Sequence, residues 1–115
     1  MWARTAGALL MGLAIEASSA SAEWETGNDL LRHCLRPMGS RLEALCLGYV
    51  TGIADLEKAP IVAERKSFCI PPTTTRTQVR DAVVEYLRRN PDKRQDRPAA
   101  HSVLDAFALS FPCAE

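Results

Sequence analysis

The chain has 115 residues, with 14 Lys plus Arg against 14 Asp plus Glu and a formal net charge of zero. That length suits one domain, and the charge balance supplies neither a basic field for nucleic acid nor an acidic tail. Hydrophobic residues at 47% and charged residues at 24% exclude a disordered chain, while 6% aromatics demand a mostly aliphatic core.

Residues 1–22 read as an export signal. Met1 to Arg4 carries one positive charge, and Ala6 to Ile15 is an apolar run. That run is about half the ~20 residues a membrane-spanning helix needs. Ala17 to Ala22 is small and polar, and Ala20-Ser21-Ala22 supplies an A-x-A cleavage site. Cleavage there leaves a single domain, 23–115, of 93 residues. An uncleaved amphipathic helix is the competing reading, to which Glu16 lends some support. No cysteine lies near the site, so a lipid anchor is not expected. The leader has a bacterial style, and the periplasm is the expected compartment.

Four helices are expected in the remainder, and each has punctuation. The first runs from about Asn28 to Leu35, with Asn28 as its cap and Leu30, Leu31 and Cys34 on one face. Pro37 and Gly39 stop it. Ser40-Arg41-Leu42-Glu43 then forms an S-x-x-E capping box, which satisfies orphan backbone donors. The helix it opens has the strongest periodicity in the chain. Leu42, Leu45, Cys46, Tyr49, Val50, Ile53 and Leu56 form one apolar stripe, read as buried. Gly48 and Gly52 sit on a neighbouring face. Each costs about 1 kcal/mol relative to alanine inside a helix, so close helix packing is expected there.

Residues 59–74 are irregular, with Pro60, Pro71 and Pro72 and a short apolar run from Ile61 to Ala63. Thr75-Arg76-Thr77-Gln78 is a second capping box. The third helix continues to about Asn90, with Val79, Ala82, Val83, Tyr86 and Leu87 inward, and Asn90-Pro91 ends it. Asp92 to Arg97 is a polar loop. The fourth helix runs from about Pro98 to Ser110, with Ala100, Val103, Leu104 and Phe107 inward. No segment alternates long enough to make a strand. The expected fold is all-α, a small disulfide-stabilised bundle of about four helices.

Cys34, Cys46, Cys69 and Cys113 all fall after the leader, at separations of 12, 23 and 44 residues. An even count in a small exported chain points to two disulfides, and without a C-x-x-C pair a metal site is not expected. Four cysteines allow three pairings. Returning Cys69 to the start of the second helix would pair it with Cys46 and leave Cys34 for Cys113, and this nested arrangement is the one we favour. The rival, Cys34 with Cys46 and Cys69 with Cys113, also satisfies chain reach.

Chemistry-bearing constellations are scarce. His33 and His101 have no motif partner, and there is no G-x-S-x-G or H-E-x-x-H. Gly48 and Gly52 are not a phosphate loop, because they lie within a helical stripe. The reading is therefore not an enzyme, with no catalytic residue, metal or other cofactor. One charged feature is unassigned: Arg88, Arg89, Lys93, Arg94 and Arg97 lie within ten residues of one another, relieved only by Asp92 and Asp96. A solvated helix end explains it most simply, since cations favour a helix C-terminus. A protein-recognition loop is the second account, because arginine is enriched at interface hot spots. Anionic lipid or nucleic acid is the third, and export with zero net charge argues against nucleic acid.

Taken in order, Asn28-Asp29-Leu30-Leu31 with Cys34, then Cys46-Leu47-Gly48-Tyr49-Val50 with Gly52 and Asp55, resemble the C-x-GY-x-x-G-x-x-D signature of the Rap/Tai immunity proteins. The similarity continues through Cys69-Ile70-Pro71, Gln78, Tyr86-Leu87, Pro91, Ala99 and Phe111-Pro112-Cys113, covering about residues 26–113. The resemblance implies an exported helical protein of Gram-negative bacteria. Its known members bind and block peptidoglycan amidase effectors delivered by type VI secretion. It implies scaffold roles for the cysteines, Gly48, Tyr49 and Gly52, and it makes a homodimer an expectation, with the Gly48/Gly52 face serving either a dimer or internal packing. Partner contact is expected from Asn90, Asp92, Lys93, Arg94 and Arg97 with the adjoining helix faces. The alternative is an orphan of the same fold, an envelope module with a structural, signalling or holdase-like role.

Overall fold

The computed structural model describes residues 24–59 and 67–114, with Gly7 and Gly12 ahead of them. The export signal and the apolar run Ile61 to Ala63 therefore lie outside the described residues. Four α-helices form the domain: α1 (Gly27–Cys34), α2 (Arg41–Asp55), α3 (Arg76–Arg89) and α4 (Ala99–Ser110). Short 3-10 turns extend α2 at Leu56–Lys58 and follow α3 at Pro91–Lys93. No strand occurs among the described residues, although Thr26 and Pro98 form an isolated bridge. The all-α reading is correct.

The caps explain where the helices begin. Thr26, not Asn28, caps α1: its side chain accepts from the Asp29 N–H while the Asp29 carboxylate accepts from the Thr26 N–H. This T-x-x-D box was legible and moves the start of α1 forward to Gly27. Ser40 caps α2 by accepting from the Glu43 N–H, but Glu43 reaches Gly39 rather than Ser40. Gly39 has φ +81°, a conformation that favours glycine and lets the corner close. Thr75 and Gln78 complete a reciprocal box at α3.

The core gathers Leu30 and Leu31 of α1, Val50 of α2, Val83 and Leu87 of α3, and Val103 and Phe107 of α4. Phe107 is the hub at the C-terminal end, its ring 5.2 Å from Phe68 and 6.0 Å from Phe111. These tilted pairs suit aromatic quadrupoles and explain how few rings suffice. A buried ion pair ties α2 to α3, where Arg80 Nη1 donates to Glu43 Oε1 at 3.0 Å.

Three expectations change. The α2 stripe is buried only at Cys46 and Val50, with Tyr49 and Ile53 half-buried; Leu42, Leu45 and Leu56 stand out at 38%, 49% and 44% exposure. Neighbours cover one side of α2, so an apolar arc wider than that side faces outward. Leu104 likewise faces outward, and Ala99 and Ala106 take the inward positions of α4. The nested disulfide pairing is wrong. Cys34 bonds Cys46 and Cys69 bonds Cys113, with Cα separations of 5.1 and 4.8 Å. The tight corner folds α2 back beside the end of α1, presenting Cys46 to Cys34. Cys69 is instead held by the chain end, its N–H donating to the Phe111 carbonyl at 2.7 Å.

Candidate partner-binding surface

The residues expected at a partner surface divide by what holds them. Asn90 serves the scaffold: its side-chain amide donates to the Tyr86 carbonyl at 2.8 Å, closing the C-terminus of α3. Asp92 and Lys93 project from the 3-10 turn and are exposed. Arg94 turns the loop back onto α1, where its carbonyl accepts from the Asn28 N–H at 3.1 Å. Its Nε is buried and has no hydrogen-bond partner among the described residues. Arg97 is half-buried and lies near the Tyr86 hydroxyl, which donates to Asp105 at 3.1 Å. Burial first, and Asp105 second, push the Tyr86 hydroxyl up from its ordinary pKa. Arg88 and Arg89 are exposed, and Arg89 pairs with Glu85 at 2.8 Å on the surface.

The loop is thus a rigid projection. Its backbone is docked on α1 and its first residue caps α3, while the Asp92 and Lys93 side chains reach solvent. Charge presented on a fixed frame loses little conformational entropy on binding.

Gly27 makes this docking possible and was missed in the sequence. A Cβ there would lie 3.0 Å from the Arg94 Cα and 3.1 Å from Leu87 Cδ2. Gly48 and Gly52, singled out for close packing, have nothing within 4 Å of such a Cβ. Internal helix packing is therefore not their role, because both lie on the solvent side of α2. Nothing local in the sequence separates these cases. The contact at Gly27 is made by a residue more than sixty positions away.

Tyr49 is half-buried on α2. It packs against the core, and its hydroxyl faces the backbone N–H of Ala100 in the first turn of α4. Pro98 provides no side-chain cap to that helix. Burial pushes the Tyr49 hydroxyl up, and the Ala100 N–H draws it back in part. His33 Nδ1 lies 2.7 Å from Glu25 Oε1, and the Glu25 carbonyl accepts from the Ala99 N–H at 2.7 Å. These contacts pin residues 25–26 across the base of α4. His101 is exposed.

Two ordered features therefore bracket the domain, a docked charged loop and a disulfide-locked helical scaffold. The described residues contain no cluster of His, Cys, Asp and Glu suited to a metal ion. Residues 26–113 match the family of Rap1a immunity proteins. The chain belongs to this family. No curated protein and no solved structure matches it. The matched span runs from the Thr26 cap to the Cys113 bridge, so membership covers the whole bundle rather than one motif. The Rap1a family is one of immunity proteins, not of enzymes, and its type of function implies binding a cognate effector. Two disulfides suit an oxidising compartment, and no described helix is long and apolar enough to cross a membrane.

Proposed function

We propose that this protein binds and inhibits a peptidoglycan amidase effector of a type VI secretion system. It does so in the periplasm, after removal of residues 1–22. Membership of the Rap1a family over 26–113 carries the reading. The disulfides support it, because a small domain exposed to the periplasm gains from covalent constraint of its unfolded state. The effector meets the loop from Asn90 to Arg97 and the adjoining faces of α3 and α4. Asp92 and Lys93 make contact directly, Arg97 contributes charge from the loop base, and Asn90 and Arg94 hold the loop in shape.

The test is protection of cells. A strain exporting the cognate amidase should lyse unless the immunity protein is co-exported. Lys93→Glu with Arg97→Glu should weaken protection while leaving the oxidised fold intact by circular dichroism. Full protection by that double variant would remove the loop from the interface. Lysis despite abundant folded wild-type protein would remove the inhibitor reading itself.

A further inference from the structure

We propose that the cleft between the end of α2 and the start of α3 binds a short zwitterionic peptide. The ligand is of dipeptide size, with a free ammonium and a free carboxylate. This site lies apart from the 90–97 loop and does not depend on the effector reading.

The cleft has a volume of about 290 Å³, close to the lower end of the roughly 300–1,000 Å³ typical of small-molecule sites. Its apolar lining is Ala54 of α2, Val79 of α3, and Ile70, Pro71 and Pro72 ahead of α3. Residues 69–74 form no helix or strand, yet they are fixed at several points. The Ile70 N–H donates to Glu57 Oε2 at 2.9 Å, and the Cys69 N–H donates to the Phe111 carbonyl at 2.7 Å. Cys69 is bonded to Cys113, and the Thr74 N–H donates back to the Pro71 carbonyl at 3.0 Å. The two prolines hold their own φ angles. A wall fixed before binding loses little conformational entropy when a ligand arrives.

Charge selects the occupant. Asp55, Lys58 and Arg76 also line the cleft and are exposed. None has an ion-pair partner among the described residues. Two of them stand at the wrong ends of their helices. Asp55 is the last residue of α2, where a carboxylate meets the negative end of the helix dipole. Arg76 is the first residue of α3, where a cation meets the positive end. Asp55 makes no capping hydrogen bond, and α3 is capped by Thr75 and Gln78 without Arg76. Neither charge helps its own helix, and both border one cavity. A zwitterion answers them together. Asp55 accepts from the ammonium, the planar Arg76 fork suits the carboxylate, and Lys58 adds a second cation to the rim. A single amino acid carries both charges on one carbon. A dipeptide sets them one Cα spacing, about 3.8 Å, further apart and lays its side chains on the apolar lining.

Titration of the isotope-labelled, oxidised protein with the dipeptide Ala-Ala, followed by amide NMR shifts, tests the proposal. The shifts should saturate and centre on amides of the cleft, such as those of Asp55, Ile70 and Arg76. Acetylating the ammonium or amidating the carboxylate should each weaken binding about tenfold or more, since each removes a hydrogen bond to a charged group. Asp55→Asn should weaken binding of free Ala-Ala and leave that of the acetylated peptide unchanged. Arg76→Gln should do the same with respect to the amidated peptide, a crossed pattern that a merely structural role would not produce. Both positions are exposed, and circular dichroism confirms that each variant is folded. The L,L and D,D forms are titrated separately. Tighter binding of the D,D form assigns the ligand to cell-wall fragments, of the L,L form to protein-derived peptides, and equal binding to the shared zwitterion alone; all three support the site. No saturable shift, shifts centred elsewhere, or loss of the crossed pattern would overturn the proposal. A protein that fails this test and still blocks an amidase would leave the proposed function standing.

Discussion

Asp29 shows how a single side chain couples the fold to pH. Its carboxylate accepts from the Thr26 hydroxyl at 2.8 Å and from the Thr26 N–H at 3.2 Å, and it pairs with Arg32. The Thr26 side chain first, and its backbone second, hold the Asp29 carboxyl below its usual pKa of 3.8. A lowered folded-state value means the contribution is complete above the unfolded pKa and is lost as pH falls through the folded one. Asp29→Asn should therefore flatten the decline of stability below about pH 4, measured as the urea midpoint against pH. An unchanged profile would show that the box does not report on folding. Gly27 carries the second residue-scale prediction. A methyl group there meets backbone, so Gly27→Ala should cost about 1–3 kcal/mol in urea unfolding. The same change at Gly48 meets open space, and in dilute protein it should gain about 0.5–1 kcal/mol from helix propensity. Equal effects at the two sites would contradict the assignment.

At the scale of elements, helix positions follow from local chemistry because caps and stops are local. Thr75 with Gln78, Ser40 with Glu43, and the Asn90-Pro91 stop all act within a few residues, so the helix limits were legible to about one position. Burial on α2 was not. Periodicity identifies an apolar arc but cannot say how much of it neighbours cover, and α1 and α3 leave Leu42, Leu45 and Leu56 outside. Disulfide pairing escaped for a similar reason. Chain reach permits both arrangements, and the choice rests on the Gly39 corner and on the Phe111 carbonyl accepting from the Cys69 N–H. Peptide mapping without reduction should find only Cys34–Cys46 and Cys69–Cys113. Removing either bridge should cost about 3–4 kcal/mol, the second somewhat more because it closes the longer loop. A Cys46–Cys69 peptide would contradict the structure directly.

For the whole molecule, the bundle is a covalently locked frame with the charged loop 90–97 at its edge. The candidate site was half legible: the charge cluster was visible as a run, and the split between projecting and scaffold residues was not. Asn90 and Arg94 carry the loop's hydrogen bonds to α3 and α1, a distinction that depends on tertiary contacts alone. The proposed role of this Rap1a-family chain is stoichiometric inhibition of a cell-wall amidase. The direct measurement titrates the oxidised protein into purified cognate effector acting on isolated peptidoglycan, following release of cleaved stem peptides. Release should fall linearly and cease at one protomer per enzyme. Undiminished release at a large molar excess of folded, oxidised protein would contradict it.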